Sequence, residues 1–238
     1  MKLLAFDTST EILSVALTDG AQTWQHTGPG AAQASAALIP AILDLLGQAG
    51  LQLAQLDALV FGRGPGSFTG LRTACSVAQG LGLGAKLPVL PLDTLLAVAE
   101  EARFQHRPEA ETLQFTALLD ARMDEMYVQR FAWANGAWSA SGDCTLQRPE
   151  NFVPQAGTLL AGNVFRVYAE RLPALLPAQC VEALPTAAAM LRLAPGLLAA
   201  GHGVDAAQAL PLYVRDKVAL TTEERARVKA RAALATPP

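Results

Sequence analysis

The chain has 238 residues, 51% of them hydrophobic and only 16% charged, which is enough apolar material to bury a core as one α/β domain or as two smaller lobes. A formal net charge of −3 excludes an overall field that would gather phosphate backbones, so any nucleic acid is expected to be held chiefly by a partner. Asp7 interrupts the start before a signal-peptide apolar core develops, and later apolar runs are broken by charge, Gly or Pro well short of a membrane span, so neither export nor contact with a membrane is expected.

In chain order, Lys2–Asp7, Ile12–Leu17 and Gln22–Thr27 are short apolar-rich runs separated by Thr8-Ser9-Thr10-Glu11 and by the turn dipeptide Asp19-Gly20. They predict an antiparallel meander. The stretch Ala31–Gln48 then sets Leu38, Ile42, Leu45 and Ala49 at helical spacing, with Pro40 marking a kink or a late helix start. Leu59-Val60-Phe61 is the next strand, Phe68–Leu83 the next helix, Pro88–Leu92 a further strand, and roughly Asp93–Phe104 a third helix. Three strands, helix, strand, helix, strand is the order of a ribonuclease-H-like unit and not of an opening dinucleotide fold.

Gln105–Thr112 is polar and contains Pro108, which places a lobe boundary there and divides the chain into 1–104 and 105–215. A second strand series follows at Leu113–Leu119, Glu125–Trp133 and Ala137–Gly142. After it come a strand at Thr158–Ala161, a short helix from Val164 and a helix from Thr186 to Ala200, stopped at Gly201. The charged stretch from Glu223 to Arg231 makes 216–238 a tail, either helical or disordered.

Four segments carry candidate chemistry. In Gly62-Arg63-Gly64-Pro65-Gly66-Ser67-Phe68-Thr69-Gly70-Leu71-Arg72 the glycines permit unusual backbone angles and expose amides, while Arg63 and Arg72 add positive charge. The segment is either a nucleotide or anion contact, through Arg63, Gly64 and Gly66, or a structural strand-to-helix turn. It matches neither GxxxxGK[ST] nor GxGxxG. Asp7, Thr8 and Ser9 form the second candidate for nucleotide contact. One carboxylate makes no metal site, and the competing reading is that Asp7 accepts hydrogen bonds from its own turn.

Asp120-Ala121-Arg122-Met123-Asp124-Glu125-Met126-Tyr127 offers either an acid–base pair or a hairpin turn in which Arg122 holds the acids. In Pro211-Leu212-Tyr213-Val214-Arg215, Tyr213 packs its ring and Arg215 is suited to bridge the lobes. Asp120, Arg122, Tyr213 and Arg215 are therefore structural or interlobe candidates. His26, His106 and His202 lie apart, and Cys75, Cys144 and Cys180 form no CxxC pair. This excludes a zinc cluster and a triad, and points to reduced thiols in a cytoplasmic chain.

The glycine-rich segment at 62–72, continuing to Ala78-Gln79-Gly80-Leu81, resembles the hallmark of the TsaB (YeaZ) family. Asp7-Thr8-Ser9-Thr10, Asp120-Ala121-Arg122-Met123 with Tyr127, and Pro211-Leu212-Tyr213-Val214-Arg215 extend the resemblance in the same order. One departure is Ala34-Ser35, where many members carry a histidine before Ser or Thr. The resemblance implies an α/β fold of the actin-like ATPase superfamily built from two ribonuclease-H-like lobes. It also implies a non-catalytic subunit that pairs with the paralogue TsaD, beside the ATPase TsaE, in N6-threonylcarbamoylation of adenosine-37 in ANN-decoding tRNAs.

By the same resemblance tRNA is met through the complex, no cofactor is bound by the chain alone, ATP or ADP sits at an interface of the complex, and the isolated chain is either a monomer or a homodimer. The helices Ala31–Gln48 and Phe68–Leu83 would meet TsaD, through Leu38, Ile42, Leu45, Leu71, Ala74 and Ala78, or else simply pack on their own sheet. The alternatives to a scaffold are an actin-like-fold kinase, a metal-dependent hydrolase and a nucleotide-binding regulator.

Overall fold

The structure is a computed structural model and describes residues 1–107 and 109–215. The tail expected at 216–238 lies outside the described residues. The chain opens with β1 (Leu3–Asp7), β2 (Ile12–Thr18) and β3 (Thr23–Pro29), paired antiparallel with Ala5 opposite Ala16 and Ala16 opposite Gln25. Helix α1 (Ala34–Ala49) leads to β4 (Ala58–Gly64), and α2 (Phe68–Ala85) leads to β5 (Val89–Asp93). Both later strands run parallel to β1, giving the sheet order β3-β2-β1-β4-β5. The central strands are buried on both faces, as their nearly continuous apolar runs require, whereas the edge strand β3 alternates between exposed and half-buried.

Pro40 neither starts nor breaks α1, which begins at Ala34 and runs through it. Proline has no N–H to give the carbonyl of Ala36, and both residues sit on the exposed side of the helix, so the lost bond costs no buried polar group. The helix stops at Gly50, whose left-handed φ of 64° lets the N–H of Leu51 return to the carbonyl of Leu46 at 3.0 Å.

Helix α3 (Thr94–His106) passes to a second sheet made of β6 (Thr112–Asp120), β7 (Met126–Ala134), β8 (Ala137–Gln147), β9 (Leu159–Gly162) and β10 (Cys180–Glu182). Its order, β10-β9-β6-β7-β8, is the order of the first sheet with each strand replaced by its counterpart. The fold is therefore two ribonuclease-H-like units in series. Strand β8 continues past the Gly142 end expected from the sequence, because Gly142 takes φ 79° where the register against β7 shifts and pairing then resumes. Strand β10 was not expected at all, since three residues carry too short a period to be read.

The core explains how the units join. One face of the first sheet packs Phe6, Leu13, Val15, Leu17 and Phe61 under α1 and α2. The other face presents Ala5, Ala16 and Ala58, and these small side chains admit α5 (Ala187–Ala199) through Ala187, Met190 and Ala194. By chain order α5 falls within the expected lobe 105–215. By packing it belongs to the first sheet, which corrects that boundary. Helix α3 lies between the sheets, with Leu95, Val98, Ala99 and Ala102 against Phe115, Leu119 and Phe131. Between β9 and β10 the chain forms the four-residue α4 (Val164–Val167) and a 3-10 turn at Pro177–Gln179. No helix of the described residues is long and apolar enough to cross a membrane.

Candidate functional site

The glycine-rich segment connects β4 to α2 and is a place of close approach. A Cβ on Gly62 would strike the carboxylate of Asp7, one on Gly70 would strike the carbonyl of Thr8, and one on Gly66 would lie 2.6 Å from Ser9. Gly64 has φ 125°, and its Cβ would lie 2.5 Å from the carbonyl oxygen of Leu212. Glycine here brings the β1–β2 turn and the 211–215 segment against the start of α2. The structural reading of the motif is the one its contacts support.

Asp7 is fully buried. Its Oδ1 accepts the backbone N–H of Ser9 at 2.9 Å and the Ser9 hydroxyl at 2.7 Å, while Oδ2 is buried without a partner. Burial pushes the carboxyl up to about 6, against the lowering effect of the two Ser9 bonds. Thr8 is equally buried and donates its hydroxyl to Gly70 O at 2.7 Å. Arg63 pairs with Asp93 at 2.5 Å and faces a different cavity, shared with His202 and Leu197. Of the six residues proposed for nucleotide contact, only Ser9 and Gly66 line the cleft between the lobes. Asp7, Thr8, Arg63 and Gly64 do not: the first two are fully buried, Gly64 is packed against Leu212, and Arg63 faces the other cavity.

That cleft has a volume of about 280 Å³. Its walls are the β1–β2 turn, the first turn of α2, the β6–β7 turn and residues 212–215. Asp120, Arg122, Tyr213 and Arg215 all line it, so the structural and interlobe candidates do come together. Asp120 Oδ1 accepts the Tyr168 hydroxyl at 2.7 Å and the Arg122 N–H at 2.9 Å. Arg215 lies 2.6 Å from Glu125 and donates to the carbonyls of Ala121 and Arg122. Tyr213 sits 5.3 Å from the ring of Phe68 and accepts from Arg72 Nε at 3.1 Å.

A magnesium nucleotide, which the actin-like fold would imply, does not fit these residues. The strand-end carboxylate is sealed beneath Gly62 and does not reach the cleft, so it cannot meet a metal-bound phosphate there. Among the described residues no three His, Cys, Asp or Glu side chains are grouped to hold a metal ion. Burial raises the thiol of Cys75, and pushes that of Cys144 up to about 12, so neither is a thiolate near neutral pH.

The six residues expected at a partner surface are corrected by their burial. Leu38, Ile42, Leu45, Leu71, Ala74 and Ala78 are each 1% exposed or less; five of them form the contact of α1 and α2 with their own sheet, and Leu71 is turned to the interlobe cleft. The outward face of the same helices carries Ser35, Ile39, Leu43, Ser76, Gly80 and Leu83. Ile39 is 45%, Leu43 61% and Leu83 59% exposed.

One cluster escaped the sequence reading. Glu100, on α3, accepts from Arg103, from Arg192 of α5 and from the indole of Trp138 on β8. Burial alone would raise its carboxyl, but these donors and the Arg103 charge outweigh burial and hold it below the ordinary glutamate value. The available signal was a glutamate at a buried position of α3 among Ala97, Val98, Ala99 and Ala102.

Two ribonuclease-H-like lobes facing a narrow cleft, with all of the strand-end carboxylate Asp7 enclosed, define a two-lobed α/β protein of the actin-like class. A family model described as TsaD, tRNA N6-adenosine threonylcarbamoyltransferase, matches residues 29–157. The TsaB protein of Haemophilus influenzae is 33% identical over 231 residues, covering 92% of this chain and 95% of that protein. TsaB of Escherichia coli K12 is 33% identical over 232 residues, covering 92% and 96%. YeaZ from Pseudomonas aeruginosa superposes with a TM-score of 0.79 at 38% identity, over 89% of this chain and 99% of that one. The chain belongs to the TsaB (YeaZ) family of tRNA threonylcarbamoyladenosine biosynthesis proteins.

Proposed function

We propose that this chain is the non-catalytic subunit that pairs with its TsaD paralogue and supports N6-threonylcarbamoylation of adenosine-37 in ANN-decoding tRNAs. The observation that carries the pairing is the outward face of α1 and α2. Two adjacent helices expose Ile39, Leu43 and Leu83 among small uncharged residues, with Asp44 and Arg72 at the margins. Such a face is apolar at its centre and small enough in side-chain volume for another helix pair to approach closely. TsaE joins through the complex, tRNA is held chiefly by the paralogue, and ATP or ADP belongs at an interface of the assembly instead of in the narrow cleft. When the paralogue is absent, the same face pairs two copies of the chain. The site of action is the cytoplasm.

The test is co-purification with the paralogue from the same genome, followed by mass measurement. Leu43→Glu should weaken the pair by tenfold or more, on the order of 1.4 kcal/mol or greater, while leaving the melting temperature close to that of the parent. An unchanged affinity would move the interface elsewhere. Purified chain alone should neither hydrolyse ATP nor modify tRNA, and turnover lost on Asp7→Asn would instead restore the enzyme reading.

A further inference from the structure

The segment that follows Ala206 crosses from one lobe to the other in a few residues. Ala206 and Ala209 are buried in the core beneath α2, and the carbonyl of Ala209 accepts from Gln79 Nε2 at 2.8 Å and from Cys75 Sγ at 3.3 Å. Leu212 then donates its N–H to the carbonyl of Arg63 at 2.7 Å, an approach that the missing side chain of Gly64 permits. Tyr213 packs on Phe68 in the first turn of α2. Arg72, one turn further along α2, stacks over Phe68 with its Cζ 3.8 Å from the ring centroid and reaches the Tyr213 hydroxyl. Two residues later Arg215 has reached the second lobe.

What Arg215 grips is an unusual turn. Arg122, Met123 and Asp124 are consecutive non-glycine residues with φ of 60°, 54° and 61°. A run of three in the left-handed region is held only by surrounding contacts. Those contacts are on hand. Arg215 donates to the carbonyls of Ala121 and Arg122 and pairs with Glu125, while Arg171 holds Asp124 at 2.6 Å. The planar guanidinium serves two carbonyls and a carboxylate at once, which an ammonium cannot do in the same geometry.

We propose that residues 209–215 are an interlobe latch and that Arg215 is its positioning residue, fixing the left-handed turn of the second lobe and the start of α2 in one register. The width of the cleft and the orientation of the outward-facing helix are then set together. The consequence for pairing rests on the reading of α2 as a partner-facing helix, whereas the latch itself is a property of the free chain.

Amide hydrogen exchange on the full free chain separates the two. Arg215→Ala should speed exchange about tenfold at the amides of Ala121–Glu125 and, across the cleft, at those of Leu71–Cys75, with β1 and β6 unchanged. Faster exchange confined to 121–125 overturns the coupling, and no change at either segment overturns the latch. Should Arg215→Ala fail to fold, Tyr213→Phe keeps the ring and removes only the bond from Arg72. It should still speed the amides of 121–125, and their constancy would overturn the proposal. Affinity for the paralogue is then measured on the same variants. Altered exchange with unaltered affinity keeps the latch and removes α2 from the interface.

Discussion

The two lobes share one strand order and differ in what connects the strands. In the first, α1 and α2 are helices of 16 and 18 residues that cover a whole face of the sheet. In the second, the matching connections are a short turn at Pro149–Asn151 and the four-residue α4, and the face is covered by Phe152, Tyr168 and their neighbours. A helix pair has an outward side that a coil lacks. The first lobe thus retains the elements able to present a flat, small-residued surface, while the second supplies the β6–β7 turn, the strand ends beside it and Asn163, which complete the cleft. The last helices break the symmetry differently, since α3 buries against the second sheet and α5 against the first.

That exchange of helices gives the largest expected effect. A chain ending at residue 104 lacks α5 and exposes Leu3, Ala5, Val60 and Leu90, and residues 105–215 without α3 leave Phe115 and Phe131 uncovered. Neither fragment should unfold cooperatively on heating, and each should bind a dye that reports exposed apolar surface. A sharp thermal transition in either would show that the lobes are independent.

On a single helix of the first lobe, neighbouring leucines should separate stability from association. Leu45→Ala removes a fully buried side chain and should cost about 2–5 kcal/mol in denaturant unfolding. Leu43→Ala, on the outward side, should change stability by no more than about 0.5 kcal/mol. Equal losses would mean that the two sides of α1 have been assigned wrongly.

This pair also marks how far the sequence could be read. The spacing of Leu38, Ile42 and Leu45 identifies a one-sided helix, but periodicity does not say whether the apolar side meets the chain's own sheet or another protein. Burial does, and the stronger apolar stripe goes inside. The order of the first nine strands was legible because the central ones are local apolar runs, whereas the three-residue β10 was not, and the turn-like character of the glycine segment was legible too. The reasons for the individual glycines were not, since Gly70 answers to Thr8 and Gly64 to Leu212, contacts made across the fold. Glu100 likewise resembles half of a surface pair with Arg103 until Arg192 and Trp138 arrive from distant segments.

The ends of β1 and β6 are equivalent positions of the two sheets, and each carries an aspartate, Asp7 and Asp120. Asp7 has its folded-state pKa raised from 3.8 to about 6, so the folded state binds the proton more tightly than the unfolded chain does. Its contribution favours the fold most below the unfolded value and is lost as pH rises through about 6, a change on the order of 3 kcal/mol. Asp7→Asn should flatten that part of the stability profile between pH 4 and 7. A profile with the same slope in the variant would assign the effect to another group.

The smallest effects come from the donors that hold these two aspartates. Ser9→Ala removes a hydroxyl donor from Asp7 but leaves the Ser9 backbone N–H in place, while Tyr168→Phe removes the hydroxyl that bridges Asp120 and the carbonyl of Glu125. Each should cost about 0.5–1.5 kcal/mol at neutral pH, the net worth of an ordinary hydrogen bond. They should differ in how the cost varies with pH. The Ser9 hydroxyl lowers the Asp7 pKa by favouring the carboxylate, so its loss weighs more when Asp7 is ionised, and the penalty should grow from pH 4 to pH 8. In the second lobe the Asp120 carboxylate and the desolvation of the ring both hold the Tyr168 hydroxyl protonated, desolvation contributing more. The hydroxyl therefore stays a donor across this range. Unfolding of both variants in urea at pH 4 and pH 8 decides the matter, and a Ser9→Ala penalty independent of pH would remove the link between that hydroxyl and the buried charge of Asp7.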